Sequence, residues 1–216
     1  MLIVEDEPIV LDVYKAKLNE LFKKRKERLF ISEANSCAAA YDIITKSLGN
    51  IDFAILDLRI PPSPRHDLLS GIDVGNLLRI RFPKIKLIVI TANGSWSQLY
   101  QVFEKLKPNS CLVKSSIDAN EIDIAFGAVL NDESYHCALC QGFLQDDPIK
   151  KLGLDQTDLT LLKELTMGAT YRDLEQSLLL SKRAVEYRKK GIKDKLNVSE
   201  ASTRILLLKA KSLGII

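Results

Sequence analysis

Phe53-Ala54-Ile55-Leu56-Asp57 is the stretch on which the fold turns. Four apolar residues, too few for a helix, read as a strand buried on both faces of a parallel sheet. The carboxylate ending the run then stands at the C-terminal edge of that sheet, in the crevice where open α/β sheets bind ligands. A lone aspartate after a strand is more often a turn former or a helix cap. Other apolar runs, however, end in polar groups at the spacing of successive strand–helix units. Leu2-Ile3-Val4 leads to Glu5-Asp6-Glu7, Lys86-Leu87-Ile88-Val89-Ile90 to Thr91-Ala92, and Ser110-Cys111-Leu112-Val113 to Lys114.

Carboxylates gathered from two strand ends cannot all stay ionised unless a cation intervenes. The pattern therefore predicts a divalent metal site with Asp57 as nucleophile. Mg²⁺ suits it, because that ion takes oxygen ligands, keeps several waters and needs only two or three carboxylates. A hydroxyl from Thr91 and an ammonium from Lys114 at the same edge suit a phosphoryl group, one as hydrogen-bond partner and one as counter-charge.

On these residues, the acidic pair Glu5-Asp6, Asp57, Thr91-Ala92 and Lys114, the first 130 residues resemble the receiver domain of two-component response regulators. The resemblance implies a flavodoxin-like, doubly wound, parallel five-stranded sheet of order 2-1-3-4-5. It also implies that Asp57 is a phosphoacceptor served by a sensor histidine kinase. Mg²⁺ would be held by Glu5, Asp6, Asp57 and the backbone carbonyl of Arg59, and Thr91, Ala92 and Lys114 would sense the acyl phosphate. Three departures stand out. Cys111 occupies the switch position where the family carries an aromatic residue, Ser115 replaces the proline after the lysine, and a long segment, Pro61 to Ser70, precedes Gly71. Its prolines stiffen that segment, which is expected to control partner access or phosphoryl lifetime.

The chain has 216 residues, 46% apolar and 27% charged, the composition of a soluble globular protein of about two domains. No run approaches the roughly twenty apolar residues of a membrane span, and no signal-peptide pattern opens the chain, so a cytoplasmic location without membrane association is expected. The first strand begins almost at Met1, which suggests a natural start a few residues upstream. Cys37, Cys111, Cys137 and Cys140 are too few and too scattered for a disulfide framework. His136 with Cys137-Ala138-Leu139-Cys140 has zinc-like spacing but no second ligand pair, so ordinary linker-helix residues are expected there. His66, in the long loop, reads as a solvated side chain rather than a ligand.

Strands and helices alternate to about residue 130: helices from Pro8 to the Lys23-Lys24-Arg25-Lys26 cluster, after Ser36, over 72–81, 96–105 and 119–129, and a second strand at Leu29-Phe30-Ile31. Residues 131–151 read as a linker, with turns at Asn131-Asp132-Glu133-Ser134 and Gln145-Asp146-Asp147-Pro148 around a short helix. Residues 152–216 form a small all-helical domain. Its helices are expected over 157–165, 171–178, 182–195 and from about Ser199 to Gly214, the last with Ile205 and Leu208 toward the core. Residues 1–149 hold 17 basic and 20 acidic side chains, whereas 150–216 hold 14 and 8, so the second part is the one suited to nucleic acid.

Two short helices joined by a tight turn make a helix-turn-helix, whose second helix enters the major groove. Through Leu154, Leu162, Gly168, Leu178, Ser181, Val185, Ile192, Lys195-Leu196 and Val198 the segment resembles the LuxR-type domain of NarL/FixJ-class response regulators. Arg183, Glu186, Tyr187, Arg188, Lys190 and Lys193 are the candidates for contact with promoter DNA. Glu186, where the family usually has a lysine, could accept from cytosine N4 or turn toward Lys190. Taken together, the sequence predicts a phosphorylation-controlled transcription regulator, dimeric when active and not a turnover enzyme beyond its own dephosphorylation. The same architecture working without phosphorylation remains an alternative. An aspartyl-nucleophile phosphatase is disfavoured, because Asp57-Leu58-Arg59 lacks the second aspartate that would serve as general acid.

Overall fold

The computed structural model describes residues 1–47, 49–145 and 148–216. The expected turn around Asp146 and Asp147 lies outside the described residues. The chain divides into an α/β unit, Met1–Gly94 with Gln101–Gln141, and a helical unit, Ser95–Tyr100 with Gly142–Ile216.

The α/β unit is a parallel sheet of order β2-β1-β3-β4-β5-β6, with β1 at Leu2–Val4, β2 at Ser32–Ala34, β3 at Phe53–Leu56, β4 at Lys86–Thr91, β5 at Ser110–Val113 and β6 at Tyr135–His136. Its crossovers are α1 (Pro8–Arg25), α2 (Cys37–Lys46), α3 (Gly71–Arg81), the segment containing α4 (Trp96–Gln101), and α5 (Ala119–Leu130). The apolar runs are strands for the reason their composition suggests: β1 is wholly buried, as are Ala54-Ile55-Leu56 of β3 and all of β5. α1 begins on Pro8 at its first turn and sends Tyr14, Leu18 and Phe22, four residues apart, inward.

Three elements differ from expectation. β2 lies at Ser32–Ala34 rather than Leu29–Ile31, because an edge strand needs little burial and its backbone bonds, Ser32 N to Met1 O at 3.0 Å and Glu5 N to Ala34 O at 2.9 Å, decide its register. Phe30 is left 77% exposed. The fourth helix stops at Gln101 and runs into a π turn, Val102–Leu106, closed by Lys107 N to Val102 O and followed by Lys107 in the left-handed region at φ 45°. Pro108 comes next and disfavours the right-handed helical conformation at the residue before it. Finally, the start of the expected linker adds the sixth strand, whose Tyr135 and Cys137 amides bond to Asn109 and Cys111 carbonyls.

After β6 come α6 (Ala138–Gln145) and α7 (Pro148–Lys151), then α8 (Gln156–Thr166), α9 (Tyr171–Leu178), α10 (Lys182–Lys195) and α11 (Thr203–Ser212). Leu159, Leu161, Leu162, Leu174, Val185, Ile192 and Leu206 form the core of the helical unit, and Trp96 packs against that core. Asp155, Thr170, Ser181 and Ser202 cap α8 to α11, each side chain accepting a backbone N–H of the first turn. In α11 the inward residues are Leu206 and Ala210, whereas Ile205 and Leu208 are 49% and 56% exposed, contrary to expectation. Four consecutive apolar residues, Ile205 to Leu208, cover every side of the helix, so periodicity could not choose the buried face.

Candidate functional site

The register Val4 with Leu56 and Leu56 with Val89 sets the ends of β1, β3 and β4 side by side, so the residues that follow share one edge. Asp57, 3% exposed, and Glu5, 1% exposed, lie within reach of one ammonium. Lys114 Nζ donates to Asp57 Oδ2 at 2.6 Å and to both Glu5 oxygens at 3.1 and 2.9 Å. Asp57 Oδ1 accepts from the Arg59 N–H at 2.8 Å, and Glu5 accepts from the Glu7 N–H at 3.3 Å. Carboxylate oxygens of Glu5, Asp6 and Asp57 lie within 4.8 Å of one another, the one such group of metal-ligating side chains among the described residues.

Burial raises the Glu5 carboxyl above the ordinary range, and the nearby Asp57 charge adds to this against the lowering by Lys114. Burial alone would lower Lys114, but its bonds to Asp57 and Glu5 raise it, so the ammonium is firmly charged. The phenol of Tyr14, beneath the cluster, is raised by burial first and then by Glu5, Asp57 and Glu7. A buried anionic pair, one ammonium shared between them and an exposed third carboxylate, Asp6, form a site of net negative charge. Hard oxygen ligands in this arrangement fit Mg²⁺. Thr91, buried at the end of β4, accepts from the Asn93 N–H at 3.3 Å, and Ala92 after it is exposed.

The loop after Asp57 is built rather than slack. Leu58, Ile60, Ser63 and Leu68 are buried, Ser63 and Leu68 pair in a short antiparallel bridge, and Pro64–His66 make a 3₁₀ turn. His66 is only partly exposed: its ring stacks on Tyr41 at 4.0 Å and its Nδ1 meets Ser63 Oγ at 2.9 Å. Gly71 returns the chain onto the site so closely that a Cβ there would meet the Asp57 carbonyl oxygen at 2.1 Å.

Cys111, three residues before Lys114, is buried, and its thiol meets that of Cys140, which also bonds to Cys137. The Cys137 thiol is raised by its bond to Cys140 and then by burial, and Ser116 Oγ donates to its sulfur at 3.7 Å. The sequence pairs Cys137 with Cys140 but does not bring Cys111 to them, because nothing in it signals the sixth strand that carries Cys137 to Cys111. The elevated thiols of Cys137 and Cys140 are unreactive filler.

On α10, Arg183, Glu186, Tyr187 and Lys190 are exposed on one face, opposite buried Val185 and Ile192, and Tyr187 is 79% exposed. Lys193 is half-buried. Arg188 departs from expectation: its guanidinium donates to Asp155 and Asp158, both at 2.8 Å, and Lys195 Nζ reaches Asp158 at 3.1 Å. It ties α10 to α8 instead of pointing outward, which removes it from the exposed set. Leu179, in the α9–α10 turn, takes the left-handed conformation at φ 52°.

Sheet order, charged crevice and capped helix-turn-helix together define a two-part fold, an α/β unit with an acidic edge and a helical unit with a helix-turn-helix. By sequence the chain matches no family model and no curated protein. Among solved structures it is similar to RcsB. It is 19% identical to an RcsB of two dimers bound to two parallel DNAs, covering 98% of this chain and 96% of that one at a TM-score of 0.62. It is likewise 19% identical, at a TM-score of 0.63 and covering 98% and 97%, to RcsB of Salmonella enterica serovar Typhimurium bound to promoter P1flhDC in the presence of the phosphomimetic BeF₃⁻. The isolated receiver domain of that RcsB with BeF₃⁻ covers 65% of this chain, with 20% identity and a TM-score of 0.55.

Proposed function

We propose that the chain is a two-component response regulator in which phosphorylation of Asp57 modulates promoter binding by the helical unit, and that it is not a turnover enzyme. The observation carrying this reading is the buried Asp57–Lys114–Glu5 cluster at the edge of the sheet. An Asp57 oxygen attacks the phosphorus of a phosphohistidine on a sensor kinase. The P–N bond breaks, an acyl phosphate forms, and the departing imidazole takes a proton from solvent. Lys114, 2.6 Å from Asp57, would follow a phosphoryl oxygen, with Thr91 and Ala92 at the end of β4 as the other phosphoryl-sensing residues. Glu5, Asp6 and Asp57, with the Arg59 carbonyl, would hold Mg²⁺, which would offset the charge of the incoming phosphoryl group. Arg183, Glu186, Tyr187 and Lys190 form the proposed DNA face, with Lys193 at its margin. The RcsB structures bound to DNA support that assignment through their shared fold, and a homodimer is the expected active state.

Incubation with a small-molecule phosphodonor and Mg²⁺ is expected to add one phosphoryl group, seen by intact mass. Asp57→Asn abolishes the increase while circular dichroism stays unchanged. Undiminished labelling of the variant overturns the proposal.

A further inference from the structure

The opposite, N-terminal edge of the sheet carries two adjoining cavities. One, about 450 Å³, is walled chiefly by Ile51, Phe53, Phe82, Pro83 and Ile85, with Asp52 and Arg81 at its rim. The other, about 710 Å³, is lined by Arg79, Lys84, Lys86, Lys105 and Lys107, with Glu104 and Asp132. Pro83, Lys84, Ile85 and Lys86 line both, so the cavities lie against one another. An apolar, aromatic compartment opening into a cationic one matches a molecule with a flat apolar end and an anionic tail. Both volumes lie in the ordinary range of about 300–1,000 Å³ for small-molecule sites.

Two of the six cations are held in place, and the other four carry no counter-ion among the described residues. Arg79 donates to Ile85 O at 2.6 Å, Leu106 O at 3.0 Å and Lys107 O at 2.8 Å, which clamps the two lysine-bearing turns, 84–86 and 105–107, at a fixed spacing. Those bonds also take up carbonyls at the end of the π turn, so the lysines are not needed there. Lys86 is held by Asp132 and lies over the Phe53 ring at 5.0 Å. Arg81, Lys84, Lys105 and Lys107 are exposed and have no ion pair among the described residues. The cavities are lined by six basic residues against three acidic ones, within residues 1–149 that hold more acidic than basic side chains. Lys107 is held in the left-handed region directly after a π turn, and both features cluster at binding sites.

We propose that this edge binds a nucleoside polyphosphate, with its base between Phe53, Phe82 and Pro83 and its phosphates on Lys84, Lys105 and Lys107. The test is titration calorimetry of the full chain with GTP and ATP, in EDTA so that no metal bridges a nucleotide to the acidic edge. Inorganic triphosphate and guanosine serve as half-ligands. At least one nucleotide is expected to bind with one site per chain, at least about tenfold tighter than either half-ligand. Lys105→Glu with Lys107→Glu removes the heat, as does Lys84→Glu, a second variant in a separate turn should the first fail to fold. Asp57→Asn binds as the unaltered chain does. No nucleotide binding, triphosphate binding as tightly as the nucleotides, or binding that survives the lysine substitutions overturns the proposal.

Discussion

The acidic edge of the α/β unit and the exposed face of α10 are both charged surfaces, yet they are made in opposite ways. At the first, Glu5 and Asp57 are almost fully buried and share one lysine, so each charge is fixed by its neighbours. At the second, Arg183, Glu186, Tyr187 and Lys190 are exposed and interact through solvent. Buried charges can support chemistry, because geometry and desolvation set their protonation. Exposed charges on a helix can supply long-range attraction and a surface to read, which suffices for a polyanion. One surface should therefore be intolerant of small steric changes and the other tolerant.

Gly71→Ala is the severest test of that contrast. The added methyl would lie 2.1 Å from the Asp57 carbonyl oxygen and 2.7 Å from Leu58 Cα, backbone atoms that cannot rotate away. A loss of about 3 kcal/mol is expected in urea unfolding of the α/β unit, the upper part of the range for overpacking. Phosphoryl labelling should slow as Asp57 shifts. A variant as stable as the unaltered chain, with unchanged labelling, would show that the crevice yields to the added methyl.

Much of this was legible in the sequence. The parallel sheet followed from apolar runs too short for helices, and the acidic edge from where those runs stop. The position of the edge strand β2, expected three residues earlier, and the existence of the sixth strand β6 were not, because backbone pairing specifies them and their side chains carry almost no periodic signal. Arg188 illustrates a second limit. It sits among lysines on a basic helix, and only the fold brings Asp155 and Asp158 from α8 against it. The apolar repeat of α11 was ambiguous for a third reason, its four consecutive apolar residues.

Arg188→Ala and Lys190→Ala, two residues apart, sharpen the comparison within one helix. The first leaves Asp158, 4% exposed at its side chain, with Lys195 as its remaining charged partner beside the Asp155 N–H. A destabilisation of about 2 kcal/mol is expected, less than for a fully buried pair because Arg188 is itself partly exposed. The slope of DNA affinity against salt should not change. Lys190→Ala should leave the melting temperature alone and reduce that slope by about one unit. Interchanged results would move Arg188 to the DNA face and Lys190 into the framework.

The smallest expected effect separates the two units by acid sensitivity. His136 is lowered by burial, and its Nδ1 accepts the Cys111 N–H at 3.1 Å, a bond that a protonated ring cannot accept. Since the folded value is depressed, His136 contributes its stability above the ordinary histidine value of about 6.5 and loses it as pH falls through that value toward the folded one. In the helical unit, burial would raise Asp155, but its bonds to Arg188 and to the Asp158 N–H outweigh burial and lower it. Its contribution is complete above about 3.9 and is lost only as pH falls below that. Between pH 7.5 and 5.5, urea unfolding should therefore show the α/β unit weakening while the helical unit holds. His136→Gln, which keeps a group able to accept the Cys111 amide, should flatten the dependence. If the helical unit is the one that weakens in this range, or if His136→Gln leaves the α/β slope intact, His136 is not the group that titrates and β6 is anchored by its backbone bonds alone.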